Sequence, residues 1–67
     1  MDVYDKNGER LRIGDLVSFF GEKQDGPWYD GKVVAFYKEK QTRIVHIARN
    51  NNEQDIWRRF SNDVEKK

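Results

Sequence analysis

The sequence predicts an all-β domain, a small barrel of five short strands with a short C-terminal helical turn. Three observations predict it. Apolar residues recur at the two-residue period of a strand, as at Val17 and Phe19 or Val45 and Ile47. Glycine, proline and asparagine punctuate these runs at intervals too short for helices, at Asn7-Gly8, Gly14, Gly21, Gly26-Pro27, Gly31 and Asn50 to Asn52. The chain has only 67 residues, and strands this short protect their edges by curling around one shared interior.

The elements follow in order. A lead-in turns at Lys6-Asn7-Gly8, because Asn-Gly readily adopts positive φ. Leu11 and Ile13, two apart, point to one side of a short extended piece that ends at the Gly14-Asp15 corner. Leu16 to Phe20 is a strand with Val17 and Phe19 inward and Leu16, Ser18 and Phe20 outward. Glu22 to Pro27 is a polar surface loop, closed by a proline that has no amide hydrogen for further pairing. Trp28 and Tyr29 restart the apolar pattern, and Gly31 marks a bulge or bend where a side chain would obstruct.

Val33 to Tyr37 is the most hydrophobic run, and Lys38-Glu39-Lys40-Gln41 after it fits a hairpin connection. Thr42 to Arg49 alternates with Val45 and Ile47 on one face and Ile44, His46 and Ala48 on the other. Asn50 to Gln54 turns the chain into a last strand, Ile56 to Phe60. Ser61-Asn62-Asp63 caps one helical turn that tucks Val64 against the open end, ahead of a polar tail. A helix over the last 15 residues is the alternative, since Trp57, Phe60 and Val64 fall at i, i+3 and i+7. The expected core is Val17, Phe19, Tyr29, Val33, Phe36, Val45, Ile47, Ile56, Phe60 and Val64.

Composition bounds the function. Residues 1–67 make one domain. The absence of cysteine excludes disulfides, thiolate metal sites and cysteine nucleophiles. No apolar run approaches the ~20 residues of a membrane span, and Asp2 follows Met1 where a basic leader would stand, so a soluble, cytoplasmic protein is expected. Catalysis has little to work with. His46, the single histidine, lies mid-strand; Ser18 and Ser61 lack a nucleophile-elbow context, and Asp15 serves the Gly-Asp turn. Gly21, Gly26 and Gly31 recur by turn placement and form no phosphate loop. A non-catalytic protein with no metal and no cofactor is expected.

The charges are unevenly placed. Residues 1–31 hold four basic and seven acidic groups, whereas residues 32–59 hold seven basic and three acidic ones. The seven are Lys32, Lys38, Lys40, Arg43, Arg49, Arg58 and Arg59, with aromatics interleaved. They are the candidate nucleic-acid-binding set, cations for phosphates beside rings that stack on unpaired bases. Phe20, Trp28, Tyr37 and Trp57 are the candidate protein-interaction set, because Trp, Tyr and Arg dominate interface energetics. In that second reading the protein is a small adaptor or inhibitor docked on a larger protein, with Trp57-Arg58-Arg59 as its sharpest patch. Sequence chooses neither RNA nor DNA, and neither monomer nor homodimer.

Gly14-Asp15-Leu16-Val17-Ser18-Phe19, then Gly26-Pro27-Trp28-Tyr29 and Gly31-Lys32-Val33-Val34-Ala35-Phe36, resemble the opening of SH3-like barrels of the Tudor and KOW kind. The resemblance covers Gly14 to Ile47. Trp28, Tyr29 and Val33 stand where Tudor-like domains open their second strand, and Gly31-Lys32-Val33 matches the segment by which KOW-type barrels approach nucleic acid. The Tudor likeness also implies reading of methylated lysine or arginine by an aromatic cage. The usual cage turn is replaced here by Ala48-Arg49-Asn50-Asn51-Asn52, so a cage would draw on Phe20, Trp28, Tyr37 or Trp57. Barrels of this size also resemble small proteins of phages and mobile elements.

Overall fold

The computed structural model describes residues 1–22 and 26–67. The expected Glu22 to Pro27 loop falls partly in residues 23–25, outside the described residues; its ends meet where the Gly21 amide donates to the Pro27 carbonyl at 2.9 Å. The strands are β1 (Val3–Tyr4), β2 (Arg10–Leu11), β3 (Leu16–Phe20), β4 (Trp28–Glu39), β5 (Thr42–Arg49), β6 (Ile56–Phe60) and β7 (Val64–Lys66). A 3-10 turn, Ser61–Asp63, joins the last two. Five strands form one antiparallel sheet in the order β6-β5-β4-β3-β7, and β1 and β2 pair separately. The domain is all-β, and both sheets are open: no strand pairing joins β6 to β7.

The five-stranded count comes about differently from the sequence expectation. The piece around Leu11 and Ile13 does not join the main sheet: Leu11 pairs with Val3, and the chain turns at Ile13-Gly14, leaving Ile13 60% exposed. The fifth strand is Val64–Lys66, where the sequence reads as a polar tail. It pairs with β3 through Phe19↔Val64, Ser18↔Glu65 and Val17↔Lys66. Residues 56–60 are extended, so the helical alternative is overturned: the ladder with β5 sets Trp57 opposite Ile47 and Arg59 opposite Val45.

Cross-strand pairing builds the core row by row. Phe19 faces Tyr29 and Val64; Val33 faces Ile47, which faces Trp57; Phe36 faces Val45, which faces Arg59. Val17, Phe19, Val33, Val45, Ile47 and Val64 are fully buried, and Tyr29, Phe36 and Trp57 pack against them. Val3 and Leu11 of the N-terminal hairpin complete the cluster. Ile56 and Phe60, expected inside, are 43% and 55% exposed. Both parities of Ile-Trp-Arg-Arg-Phe contain apolar residues, and register with β5 chooses the odd one, turning Trp57 and Arg59 inward.

Gly31 is required by close approach. A Cβ there would lie 2.6 Å from the Ala48 carbonyl oxygen and 2.6 Å from Ile47 Cγ2. The register shift sits three residues later, between Val33 and Ala35, so the bulge falls at Val34 and bends the 12-residue β4. The Asn50-Asn51 turn is built from two residues at φ 53° and 61°, a left-handed conformation that asparagine tolerates well.

Asp5 ties the ends of the chain together. Its carboxylate, 3% exposed as a residue, accepts from the amides of Asn7 (2.9 Å), Glu9 (2.8 Å) and, across 61 positions, Lys66 (2.8 Å). Burial alone would raise this carboxyl. The amide bonds from Lys66, Glu9 and Asn7, with the Lys66 charge, outweigh burial and hold it below the ordinary aspartate value.

Candidate binding face

Two of the seven candidate phosphate-binding cations are built into the fold. Arg59 points inward, over the rings of Trp57 (4.9 Å), Phe20 (5.2 Å) and Phe19 (5.8 Å). Its Nε donates to the Phe20 carbonyl at 3.0 Å, its Nη1 to the Arg58 carbonyl at 2.7 Å and its Nη2 to the Gly21 carbonyl. One guanidinium thus spans the seam between β6 and the end of β3 that no backbone ladder closes. Arg49 lies over Tyr29 (4.9 Å) and Trp57 (5.6 Å), and its Nε donates to Asp55 at 2.7 Å. The same aspartate accepts from Trp57 Nε1 at 2.9 Å.

The aromatic candidates divide into three places. Trp57 is half-buried between Phe19 and Tyr29, at ring-centroid distances of 5.8 and 5.6 Å. Phe20 and Trp28 form an edge-to-face pair on the outside of β3 and β4, with Lys6 Nζ 5.2 Å above Trp28. Tyr37 is 52% exposed on the outside of β4, beside His46 at 4.4 Å. The four rings do not surround a common empty point, and the rings of Phe20 and Trp57 already share one cation, Arg59.

What the structure brings together is the outer wall of β4, β5 and β6. The row Tyr37↔Ile44↔Phe60 crosses all three strands, and the row Ala35↔His46↔Arg58 lies beside it. Phe60, on the edge strand β6, ends the first row. Across the seam it shares a groove of about 410 Å³ with Phe20, Ile44, Arg58 and Asp63, and on its other side it walls a polar cleft with Tyr4 and Arg43. Sequence reasoning missed Phe60 and Ile44 as contact residues, because alternation alone does not reveal which parity of β6 faces out.

Of the remaining cations Lys32 and Arg58 share its outward parity, Lys40 lies in the β4–β5 turn, and Lys38 and Arg43 share the parity of Phe36 and Val45. Arg58, Lys38 and Lys40 are exposed and Lys32 and Arg43 half-exposed, and none of the five makes an ion pair with a described residue. Lys38 and Arg43 stand directly opposite one another. His46 titrates below the ordinary histidine value, first because burial disfavours its charged form and then because Arg58 repels it. The imidazole is therefore neutral near pH 7, and the wall draws its positive charge from lysine and arginine.

Among the described residues no group of three or more His, Asp or Glu side chains is placed to hold a metal ion. No helix of the described residues is long and apolar enough to cross a membrane. A family model described as a domain of unknown function, DUF7205, matches residues 3–66. The chain belongs to that family. No curated protein and no solved structure matches it. The match spans both sheets, from β1 to β7, so the outer wall lies within the family domain.

Proposed function

We propose that this protein is a non-catalytic binding domain that docks on a larger protein through the outer wall of β4, β5 and β6. The observation that carries the reading is the apolar row Tyr37-Ile44-Phe60, continued across the seam by the groove that Ile44 and Phe60 line with Phe20. Tyr37 and Phe60 are more than half exposed. Exposed large apolar groups collected in one patch and rimmed by charge are the usual mark of a protein contact.

Nucleic-acid or nucleoprotein binding is the second reading, favoured by the exposed cations Lys38, Lys40 and Arg58, which make no ion pair with a described residue. It has fewer cations to draw on than the sequence offered, since Arg49 and Arg59 spend their donors inside the protein. Reading of methylated lysine or arginine has no assembled cage to support it. The finer architecture we propose is an SH3-like barrel of the Tudor or KOW kind. The order β6-β5-β4-β3-β7, the bend in β4 and the 3-10 turn before the final strand support it, with Arg59 bridging the open seam.

Affinity capture with the tagged full chain tests docking. A stoichiometric protein partner, retained in high salt and by Arg58→Ser but lost with Phe60→Ser, is expected. Titration of RNA, single-stranded DNA and duplex DNA at two salt concentrations is the companion experiment. Saturable binding that weakens with salt and with Arg58→Ser, alongside no captured protein, would move the conclusion to the nucleic-acid reading.

A further inference from the structure

The main sheet has two edge strands, and the rest of the chain covers only one of them. At β7 the outward backbone groups are paired with the N-terminal segment: the Lys6 amide donates to the Val64 carbonyl at 2.9 Å and the Lys66 amide to Asp5 Oδ2 at 2.8 Å. At β6 the phase of the ladder is set by the Arg49 amide, which donates to the Asp55 carbonyl at 3.0 Å. The register runs unbroken from there. Trp57 and Arg59 therefore bond to Ile47 and Val45, while Ile56, Arg58 and Phe60 turn their backbone groups away from β5. Among the described residues only Arg59 Nη1 reaches that outer edge, donating to the Arg58 carbonyl at 2.7 Å. The N–H groups of Arg58 and Phe60 stay unpaired there, two residues apart.

The groove of about 410 Å³ lies along this edge, between Arg58 and Phe60 on one side and Phe20 and Gly21 on the other. We propose that it receives one extended segment of the partner protein, added to β6 as a further strand. The segment's carbonyls accept from the Arg58 and Phe60 amides, and its apolar side chains meet Phe20 and Phe60. The assignment rests on the protein-docking reading and specifies what the partner presents. A second copy of the chain fits poorly, because its own β6 carries β5 along one edge and faces Gly21 and Glu22 across the other. Centring two antiparallel β6 edges on Arg58 would also set like charges opposite one another. A lone segment meets neither obstacle. Bonding through main-chain groups asks nothing of the Arg58 side chain, in keeping with the partner's expected retention by Arg58→Ser.

The test is amide hydrogen exchange in the 15N-labelled full chain, alone and with a capped heptapeptide of alternating threonine and valine. Alone, the Arg58 and Phe60 amides should exchange about tenfold or more faster than those of Trp57 and Arg59, which are bonded to β5. Saturating peptide should slow the Arg58 and Phe60 amides by about fivefold or more and leave Trp57 and Arg59 unchanged. Phe60 has φ −66°, the angle that proline fixes, and its amide serves no strand pair, so Phe60→Pro removes the donor without breaking the ladder. Phe60→Ala removes the same ring and keeps the donor. Phe60→Pro should bind the peptide about fivefold more weakly than Phe60→Ala, and equal affinities would overturn strand addition. Should Phe60→Pro fail to fold, exchange in the unaltered chain decides.

Arg58 and Phe60 amides as slow as those of Trp57 and Arg59 in the free chain, or unchanged at millimolar peptide, would overturn the open edge. Slowing that rises with the concentration of the chain alone would give the edge to a second copy and overturn the assignment to a partner. The complex from the capture experiment separates strand addition from docking. A captured partner that leaves both amides fast would overturn strand addition and leave docking standing, whereas slowing of both amides in that complex supports the two together. Slowing by the peptide with no partner captured would remove the docking reading and leave β6 a strand-accepting edge.

Discussion

The two halves of the molecule treat charge in opposite ways. Around β1, β2, β3, β7 and the start of β4, charged groups are joined to one another: Asp2 with Arg10, Asp15 with Lys66, Asp30 with Lys67 and Glu65 with Lys6, whereas the β5–β6 end holds one such pair, Arg49 with Asp55. Asp30 shows the consequence, its carboxyl lowered by the hydrogen bond from Lys67 and then by Ser18. In β4, β5, β6 and the β4–β5 turn, Lys32, Lys38, Lys40 and Arg58 have no such partner among the described residues. The first half uses its charges to hold two short strands and both chain ends. The second is held by its long ladders and leaves its outward side chains for contact.

The largest effect should come from the tied half. Asp5→Ala strands three amide donors in a buried place, and a loss of about 3 kcal/mol is expected by urea denaturation. Phe60→Ala, on the outer wall, should cost less than about 1 kcal/mol in the same measurement. Equal losses would break the division between the halves.

Next come the adjacent arginines, which sharpen the division to neighbouring residues. Arg59→Ala removes a guanidinium bonded to three carbonyls and packed on three rings, so about 2 kcal/mol of stability should be lost. Arg58→Ala should stay within about 0.5 kcal/mol. If thermal melts show the two alike, Arg59 does not hold the seam.

The pH dependence separates the halves again. Asp5 is lowered in the folded state, so its contribution is full above the ordinary aspartate value of 3.8 and is lost as pH falls through the lower folded value. Acid denaturation should shift to higher pH in Asp5→Asn. His46 is also lowered, so the unfolded chain takes up its proton first and stability declines as pH falls below about 6.5. This is the smallest effect. His46→Gln should flatten stability as pH falls below about 6.5 while leaving the acid transition of Asp5 in place.

Much of the strand pattern was legible in the sequence because a two-residue period needs no knowledge of the partner. Val17, Phe19, Val33, Val45 and Ile47 all face inward as their alternation requires. The corners at Gly8 and Gly14 were legible for the same local reason, positive φ. The binding wall was only half legible. Tyr37 and the lysines around it could be named, but Phe60 was assigned to the core and Arg59 to the surface, and the structure exchanges their places. In a strand whose two faces both carry apolar groups, parity is a property of the pairing.

By itself, then, the chain determined an all-strand domain without cysteine chemistry, with its turns and most of its buried aliphatics in place, since these depend on local sterics and alternation. Only the tertiary structure decided that Val64–Lys66 pairs with β3, that Asp5 joins residues 61 positions apart, and that Arg59 folds inward while Phe60 turns out. Each of those outcomes rests on a contact between segments distant along the chain, where register, and with it the choice between core and binding wall, is set by the partner strand.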